Sequence, residues 1–335
     1  MILELAPMEG LTTYVYRNAF ARHFGSIDRY YTPFLSLHKE KEFNHKERQE
    51  ILPENNRGLC VIPQVLTNSS EDFLKAAGKL QDLGYQEVNI NFGCPSGTVT
   101  TKAKGAGMLA YPERLDRFLA EIFEHTTLRI SIKTRLGMEQ PEEWERLLEI
   151  YNQYPICQMI IHARVRADFY ANTPNWDAFG KAVTQSVSPV CYNGDIFTVA
   201  DYERLKTTFP DVESVMLGRG LLAHPGLAEH IRQLSAAGNN GHVTEAMRES
   251  VHLARNGAEL ERLQAFHDEV YAGYHGIQFG YRNVLFKMKE LWHYMVHSFP
   301  NAEKHEKKLR KVNSCAEYES YVKNIFALAS NEEWV

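Results

Sequence analysis

The chain has no paired cysteine motif. Its five cysteines, Cys60, Cys94, Cys157, Cys191 and Cys315, are odd in number and include no CxxC spacing. That excludes a disulfide framework and a zinc ribbon, leaves no metal site to expect, and fits a reducing cytosol. No apolar stretch approaches the length needed to span a bilayer. The opening residues MILELAPMEG carry Glu4 and no basic region, so no signal peptide is visible. A cytoplasmic monomer without membrane contact is expected. The sequence also lacks low-complexity tracts and internal repeats. Strong charge of either sign is missing too. A net −5 over 335 residues argues mildly against a nucleic-acid partner, although only the docking face needs to be basic.

What is present is an apolar fraction of 44%, enough for a sizeable core. From residue 2 to about 235, short apolar runs alternate with helix patterns. Strands are expected at 3–8, 30–35, 61–66, 86–91, 129–134, 156–162, 190–192 and 212–217. Helices are expected after a Thr12 or Thr13 cap, from the Asn68-Ser69-Ser70 cap to Gly84, from Pro112, over 141–154, and from Trp176, Thr198 and Leu221. Eight strand candidates alternating with helices predict an α/β chain whose parallel sheet closes into a (β/α)8 TIM barrel. An open doubly wound sheet is the alternative. Residues suited to chemistry decide between them: Glu9, Gln64, Cys94, Lys133, His162, Asn193 and Arg219 recur just after successive strands. A barrel gathers such residues on one face, whereas an open sheet gathers them at its switch point.

A composition shift at 235–241, SAAGNNG, reads as a linker. It divides a barrel over 1–235 from a small all-helical domain over 236–335. In that domain Tyr281, Val284, Leu285, Met288, Leu291, Trp292 and Met295 fall at core-stripe spacing. Arg282, Phe286, Lys289 and His293 form a second stripe, and Lys304, Lys307, Lys308, Arg310 and Lys311 a basic cluster. Basic residues with an interleaved aromatic suit an RNA backbone, while a solvated helix face is the ordinary reading.

The stretch 89–109, NINFGCPSGTVTTKAKGAGML, organises the rest. Gly93 permits a tight turn, and Pro95 restricts Cys94 to an extended conformation. A thiol fixed so at a strand end faces a cleft; the alternative is a core cysteine beside a turn. Cys60, Cys157 and Cys191 sit beside apolar runs and read as core. Ser96 to Gly107 has almost no large apolar side chain and reads as a surface loop carrying Lys102 and Lys104.

Two glycine loops, Asn193-Gly194-Asp195 and Gly218-Arg219-Gly220, follow the seventh and eighth strands. Loops there commonly hold a phosphate in such barrels, with Arg219 as a partner; ordinary turns are the alternative. Gly218-x-Gly220-x-x-Ala223 also fits a dinucleotide fingerprint. The acidic residue expected about 20 positions later and a further strand are both missing, which rejects that reading. That favours a mononucleotide flavin over a nicotinamide bound in its own domain. Lys133, alternating with Ile130 and Ile132, points into the barrel and needs an anionic partner there. A wet strand end with a carboxylate neighbour is the alternative.

Asn91-Phe92-Gly93-Cys94-Pro95 with Lys104-Gly105-Ala106-Gly107 resembles the active-site loop of the tRNA-dihydrouridine synthases. The resemblance continues along most of the chain. It implies FMN on the barrel, NADPH as reductant and tRNA as substrate. Pro7-Met8-Glu9 resembles the segment against the flavin ring, Gln64 the glutamine at its polar edge, and Lys133 the flavin-contacting lysine. His162-Ala163-Arg164-Val165-Arg166 is similar to the family's His-Gly-Arg-Thr-Arg run, with Ala163 and Val165 departing from it. His162 then contacts the flavin phosphate or ring, and Asn91, Arg135 and Tyr170 hold the target base. The implied reaction adds hydride from reduced FMN at uracil carbon 6 and a proton from Cys94 at carbon 5. A thiol, with an ordinary pKa of about 8.5, is mostly protonated at neutral pH and suits that role. The alternatives are an FMN barrel acting on a free pyrimidine or other small conjugated substrate, and a non-catalytic RNA-binding protein.

Overall fold

The computed structural model describes residues 1–237, 257–277, 280–299 and 301–331; residues 238–241 of the expected linker lie outside them. Nine parallel strands form one sheet: β1 (Ile2–Leu5), β2 (Arg29–Tyr31), β3 (Val61–Ile62), β4 (Gln64–Val65), β5 (Glu87–Phe92), β6 (Arg129–Arg135), β7 (Gln158–His162), β8 (Val190–Asn193) and β9 (Ser214–Leu217). Their order is β3-β2-β1-β9-β8-β7-β6-β5-β4. Only Pro63 separates β3 from β4, so the two ends of that order belong to one barrel stave and the sheet closes on itself. The fold is the (β/α)8 barrel, not the open sheet.

Pro63 also explains why the run expected at 61–66 is broken. Proline offers no N–H to the ladder, and only its carbonyl is used, accepting from Asn89 N at 2.8 Å. Other elements are shorter than the sequence pattern. The run expected at 30–35 ends at Tyr31, with Leu35 making a lone bridge to Val65. The helix expected at 141–154 covers Glu143–Tyr151. The one expected from Leu221 is two helices, Arg219–Ala223 and Leu227–Ala237.

The strand period of two sorts side chains between barrel interior and helix layer. On β5, Phe92 faces out and meets Phe118 of the Pro112–His125 helix at 5.8 Å between centroids. Asn89 and Asn91 therefore face in. That helix buries Leu115, Phe118, Leu119 and Ile122 at three- and four-residue spacing, with proline in its first turn. The Ser70–Asp82 helix beside it starts where Ser69 Oγ accepts from Asp72 N at 3.2 Å, as its cap signal requires. Inside, Ala6, Tyr31, Ile62, Ile160, Cys191 and Met216 form an apolar layer. Two residues on from Ile62, Ile160 and Cys191 stand Gln64, His162 and Asn193.

The chain divides into two compact units. The first, Met1–Glu9, Asp28–Asp195 and Lys206–Leu217, holds all nine strands of the described residues. The second is Gly10–Ile27, Ile196–Leu205 and Gly218–Val335. In it the helix Tyr14–His23 packs on Gly257–Gly276, where Tyr16, Phe20 and Phe24 surround Phe266 at 5.4, 6.4 and 5.4 Å. Thr13 occupies the cap position but does not cap, because its hydroxyl bonds Tyr274 OH at 3.0 Å. The helix Gly280–Met295 buries Val284, Leu285, Met288, Leu291, Trp292 and Met295. Tyr281, expected in that stripe, lies in the helix's first turn and is 53% exposed. Among the described residues, no helix is long and apolar enough to cross a membrane.

Candidate active site

Cys94 lies two residues past β5, half-buried. Asn91 fixes it. Its Oδ1 accepts from Gly93 N at 3.0 Å and Cys94 N at 2.9 Å, an asparagine turn that bends the chain out of the strand. From the other side Ala106 N donates to Cys94 O at 3.1 Å. Gly105, at φ +54, approaches so closely that a Cβ there would lie 2.9 Å from Cys94 O and 3.0 Å from Cys94 Cβ. The stretch read as a surface loop is therefore only partly one. Thr101 and Lys102 are exposed, but Gly105, Ala106 and Gly107 are buried as a 3-10 turn against the thiol. Small size there reflects close packing, not exposure. Burial raises the Cys94 pKa, and a Ser96 backbone hydrogen bond, Arg135 and Lys133 offset only part of that. The thiol stays protonated at neutral pH.

The asparagine is itself held by a chain of amides. Asn91 Nδ2 donates to Gln64 Oε1 at 2.7 Å, Gln64 Nε2 to Asn89 Oδ1 at 2.8 Å, and Asn89 Nδ2 to Ser131 Oγ at 3.0 Å. Gln64 is 1% exposed, so with its carbonyl and amide paired its orientation is set. Arg135, 1% exposed, donates from Nε to Gly93 O at 2.8 Å and from Nη1 to Val165 O at 2.9 Å. No carboxylate neutralises it among the described residues, and burial pulls its pKa down to about 10.

Lys133 stands opposite Asn91 in the β5–β6 register. Its alternation with Ile130 and Ile132 puts it on the interior face, as the sequence implied. No hydrogen bond or ion pair holds its ammonium among the described residues. Burial, with Arg135 adding to it, pulls its pKa down to about 8. An uncompensated interior cation is costly, and an anion beside it would remove that cost. The site thus fits an anionic group.

His162 ends β7, in register with Arg135 on one side and Asn193 on the other. Arg164 Nη1 lies 3.1 Å from His162 Nε2; arginine can only donate, so that nitrogen accepts. Arg164, to which the sequence pattern assigns no role, is 1% exposed and grips Asp195 through both carboxylate oxygens, at 3.1 and 2.5 Å. It also donates to Ala171 O at 2.9 Å and Asn172 O at 2.5 Å. The position is the third residue of the His-x-Arg run, but apart from His162 its partners are 7 to 31 residues away. Tyr170 is 51% exposed, with its ring 5.5 Å from Arg135 Cζ and 6.0 Å from His162.

The remaining residues are placed as follows. Pro7 and Met8 are partly exposed after β1, and Glu9, exposed, pairs with Lys46 at 3.7 Å. Asn193, 8% exposed, donates to Met216 O at 2.9 Å. A Cβ on Gly194 would lie 2.2 Å from the Tyr192 hydroxyl, so internal packing alone requires that glycine. Gly218 and Arg219 follow β9 and belong to the second unit, where Arg219 lies over the Phe197 ring at 5.4 Å. Of the cysteines read as core, Cys191 is buried and Cys157 partly so, but Cys60 is exposed. It immediately precedes β3, and although its carbonyl accepts from Tyr30 N at 2.9 Å its side chain is exposed.

In the first unit, then, a protonated thiol, a buried arginine, an exposed tyrosine and an unneutralised lysine lie at the C-terminal ends of β5, β6 and β7. In this fold that end carries the chemistry. A family model described as dihydrouridine synthase matches residues 4–327. The tRNA-dihydrouridine(16) synthase of Cupriavidus necator is 30% identical over 239 residues, covering 69% of this chain and 74% of that protein. That of Aquipseudomonas alcaligenes is 29% identical over 244 residues, covering 70% and 76%. The tRNA-dihydrouridine synthase B of Shewanella oneidensis is 26% identical over 285 residues, covering 84% of each.

Proposed function

Because the chain belongs to the dihydrouridine synthase family, we propose that it reduces the carbon 5–carbon 6 double bond of uridines in tRNA to give 5,6-dihydrouridine. The observation that carries this is Cys94, a thiol kept protonated by burial and seated by Asn91 and Gly105 at a barrel mouth. Saturating the double bond requires a hydride at one carbon and a proton at the other. FMN, when bound, supplies the hydride for carbon 6, with NADPH as its reductant. Cys94 holds the proton for carbon 5 and becomes a thiolate when it gives that proton up. Arg135 and Lys133 then lower the cost of that negative charge. Asn91, Arg135 and Tyr170 orient the uracil, which must leave its stack to reach a barrel mouth.

Lys133 would face the flavin, where its unneutralised charge meets an anion. Gln64, Pro7, Met8, Glu9, His162, Asn193, Gly194, Asp195, Gly218 and Arg219 complete the FMN-binding set in this reading, with Asp195 acting through its grip on Arg164. We assign residues 1–235 to the FMN-binding catalytic barrel and 236–335 to tRNA binding, in a cytoplasmic monomer. On the helix Ala302–Lys311, the exposed Lys304, Lys307, Lys308, Arg310 and Lys311 suit the RNA backbone.

The test is direct. Purified protein with NADPH and unmodified tRNA should form dihydrouridine, and denaturation should release FMN. Flavin-loaded protein that reduces a free pyrimidine but leaves tRNA unchanged would replace this reading with the small-substrate one. Lys307→Glu with Lys311→Glu should weaken tRNA binding and flatten its salt dependence by about one unit of slope for each phosphate no longer neutralised.

A further inference from the structure

The turn after β7 carries two side chains that the proposed reduction does not use. Phe169 is 44% exposed, and its backbone is held at φ +51, a region that bulky L-residues rarely adopt. The guanidinium of Arg166 lies 5.0 Å from the Phe169 ring centroid. No carboxylate pairs with Arg166 among the described residues, and its Nε is buried without a hydrogen-bond partner. The backbone beneath them is fixed. Arg166 N donates to Gly137 O at 2.8 Å and Ala167 N to Met138 O at 2.9 Å. Asp168 accepts from Val165 N at 3.1 Å and from Asn172 Nδ2 at 2.6 Å. Arg164 holds Ala171 and Asn172 from below. A rigid turn thus presents an aromatic face to solvent with an unneutralised cation beside it.

We propose that Phe169 and Arg166 form a nucleotide subsite next to the target uridine. Phe169 stacks on the unpaired base of a neighbouring nucleotide, and Arg166 pairs with that nucleotide's phosphate. The assignment rests on the tRNA reading above. Position supports it: Tyr170 follows Phe169 directly, its ring lies 5.5 Å from Arg135 Cζ, and Arg135 bonds Gly93 O, one residue before Cys94. When one base is drawn out of its stack, its neighbour loses a stacking partner. An aromatic side chain replaces that partner whatever the base, because every base has a π-face. The nearby arginines cannot take the phosphate role as Arg166 can. Arg135, fixed by two backbone carbonyls beside Cys94, belongs to the uracil in that reading, and Arg164 is held by Asp195. A protein partner would call for a broader apolar surface than two rings flanked by Arg166, Asp168 and Asn172.

The experiment is equilibrium binding and single-turnover reduction of unmodified tRNA by the holoenzyme across a range of salt. Phe169→Ala should weaken binding roughly ten- to hundredfold and leave the salt slope unchanged, since it removes no charge. Phe169→Trp should bind close to wild type. Arg166→Gln should weaken binding and flatten the slope by about one. Circular dichroism melting of each variant reports whether it folds. Two results would overturn the subsite: Phe169→Ala binding tRNA like wild type, or Ala and Trp variants that fold yet lose affinity equally. Wild-type holoenzyme that neither binds nor reduces tRNA would instead overturn the functional reading, and the subsite with it.

Discussion

Asn91 Oδ1 accepts the backbone N–H of Cys94 at 2.9 Å, so the residue that turns the chain out of β5 also sets where the thiol sits. The same side chain donates to Gln64. Asn91→Ala removes these two bonds and the one from Gly93 N, and leaves the Gln64 carbonyl and the Gly93 N–H buried without their partners. Each such group costs about 1–3 kcal/mol. Urea unfolding should find the variant about 2–6 kcal/mol less stable, with slower dihydrouridine formation. Unchanged stability would mean that the turn holds without its asparagine.

Gly105 and Gly58 separate strain from collision. Both have positive φ, +54 and +78, but a Cβ at Gly58 meets nothing within 4 Å, whereas one at Gly105 runs into Cys94. Gly58→Ala should cost about 1–2 kcal/mol, the ordinary penalty of that backbone region. Gly105→Ala should cost more and slow reduction of tRNA as Cys94 shifts. Equal costs and an unaltered rate would show that Cys94 tolerates movement.

Lys133 gives a pH-dependent prediction. Its folded pKa of about 8 lies below the ordinary lysine value of 10.5. Between those values the unfolded chain binds a proton that the folded protein does not, so this group makes stability rise with pH across that window. Lys133→Met removes the interior charge. Flavin-free variant should be more stable than flavin-free wild type at pH 7, and the difference should shrink as pH passes 8 toward 10.5. Denaturant titrations at several pH values check this. A variant less stable than wild type at pH 7 would mean that the ammonium is already compensated. FMN retention should move the other way and weaken in the variant.

Lys289 belongs by spacing to the exposed basic stripe. Its ammonium donates instead to Arg310 O at 3.1 Å and Val312 O at 2.5 Å, which ties down the end of the Ala302–Lys311 helix. Lys289→Ala should therefore lower the melting temperature and leave the salt slope of tRNA binding almost unchanged. A flattened slope with no loss of stability would return Lys289 to the docking face.

The contrast between Lys289 and Lys133 shows what a sequence reveals. Period-two alternation put Lys133 inside the barrel, because strand geometry is local and every second residue shares a face. The succession of strands and helices likewise pointed to the closed barrel. Partners distant in sequence were not legible. Nothing in the pattern ties Lys289 to Arg310, or Arg164 to Asp195, since those contacts depend on how separate elements meet. Glycine was ambiguous for a related reason. Gly194 reads as a phosphate turn, yet the Tyr192 hydroxyl already requires it; Gly105 reads as an exposed loop, yet it is pressed against Cys94. Pro63 was visible as a residue, but its effect of splitting one stave into β3 and β4 emerges only in the ladder.

In the proposed reaction Cys94 supplies the proton at carbon 5. The most direct measurement is single-turnover dihydrouridine formation, with pre-reduced holoenzyme mixed rapidly with unmodified tRNA in the absence of oxygen. Cys94→Ala should fold and retain FMN, yet form dihydrouridine roughly two to four orders of magnitude more slowly, the usual worth of a general acid. Cys94→Ser, close in shape but far weaker as an acid, should recover little. Dihydrouridine forming in the Ala variant at the wild-type rate would contradict the claim and assign the proton to water or another side chain.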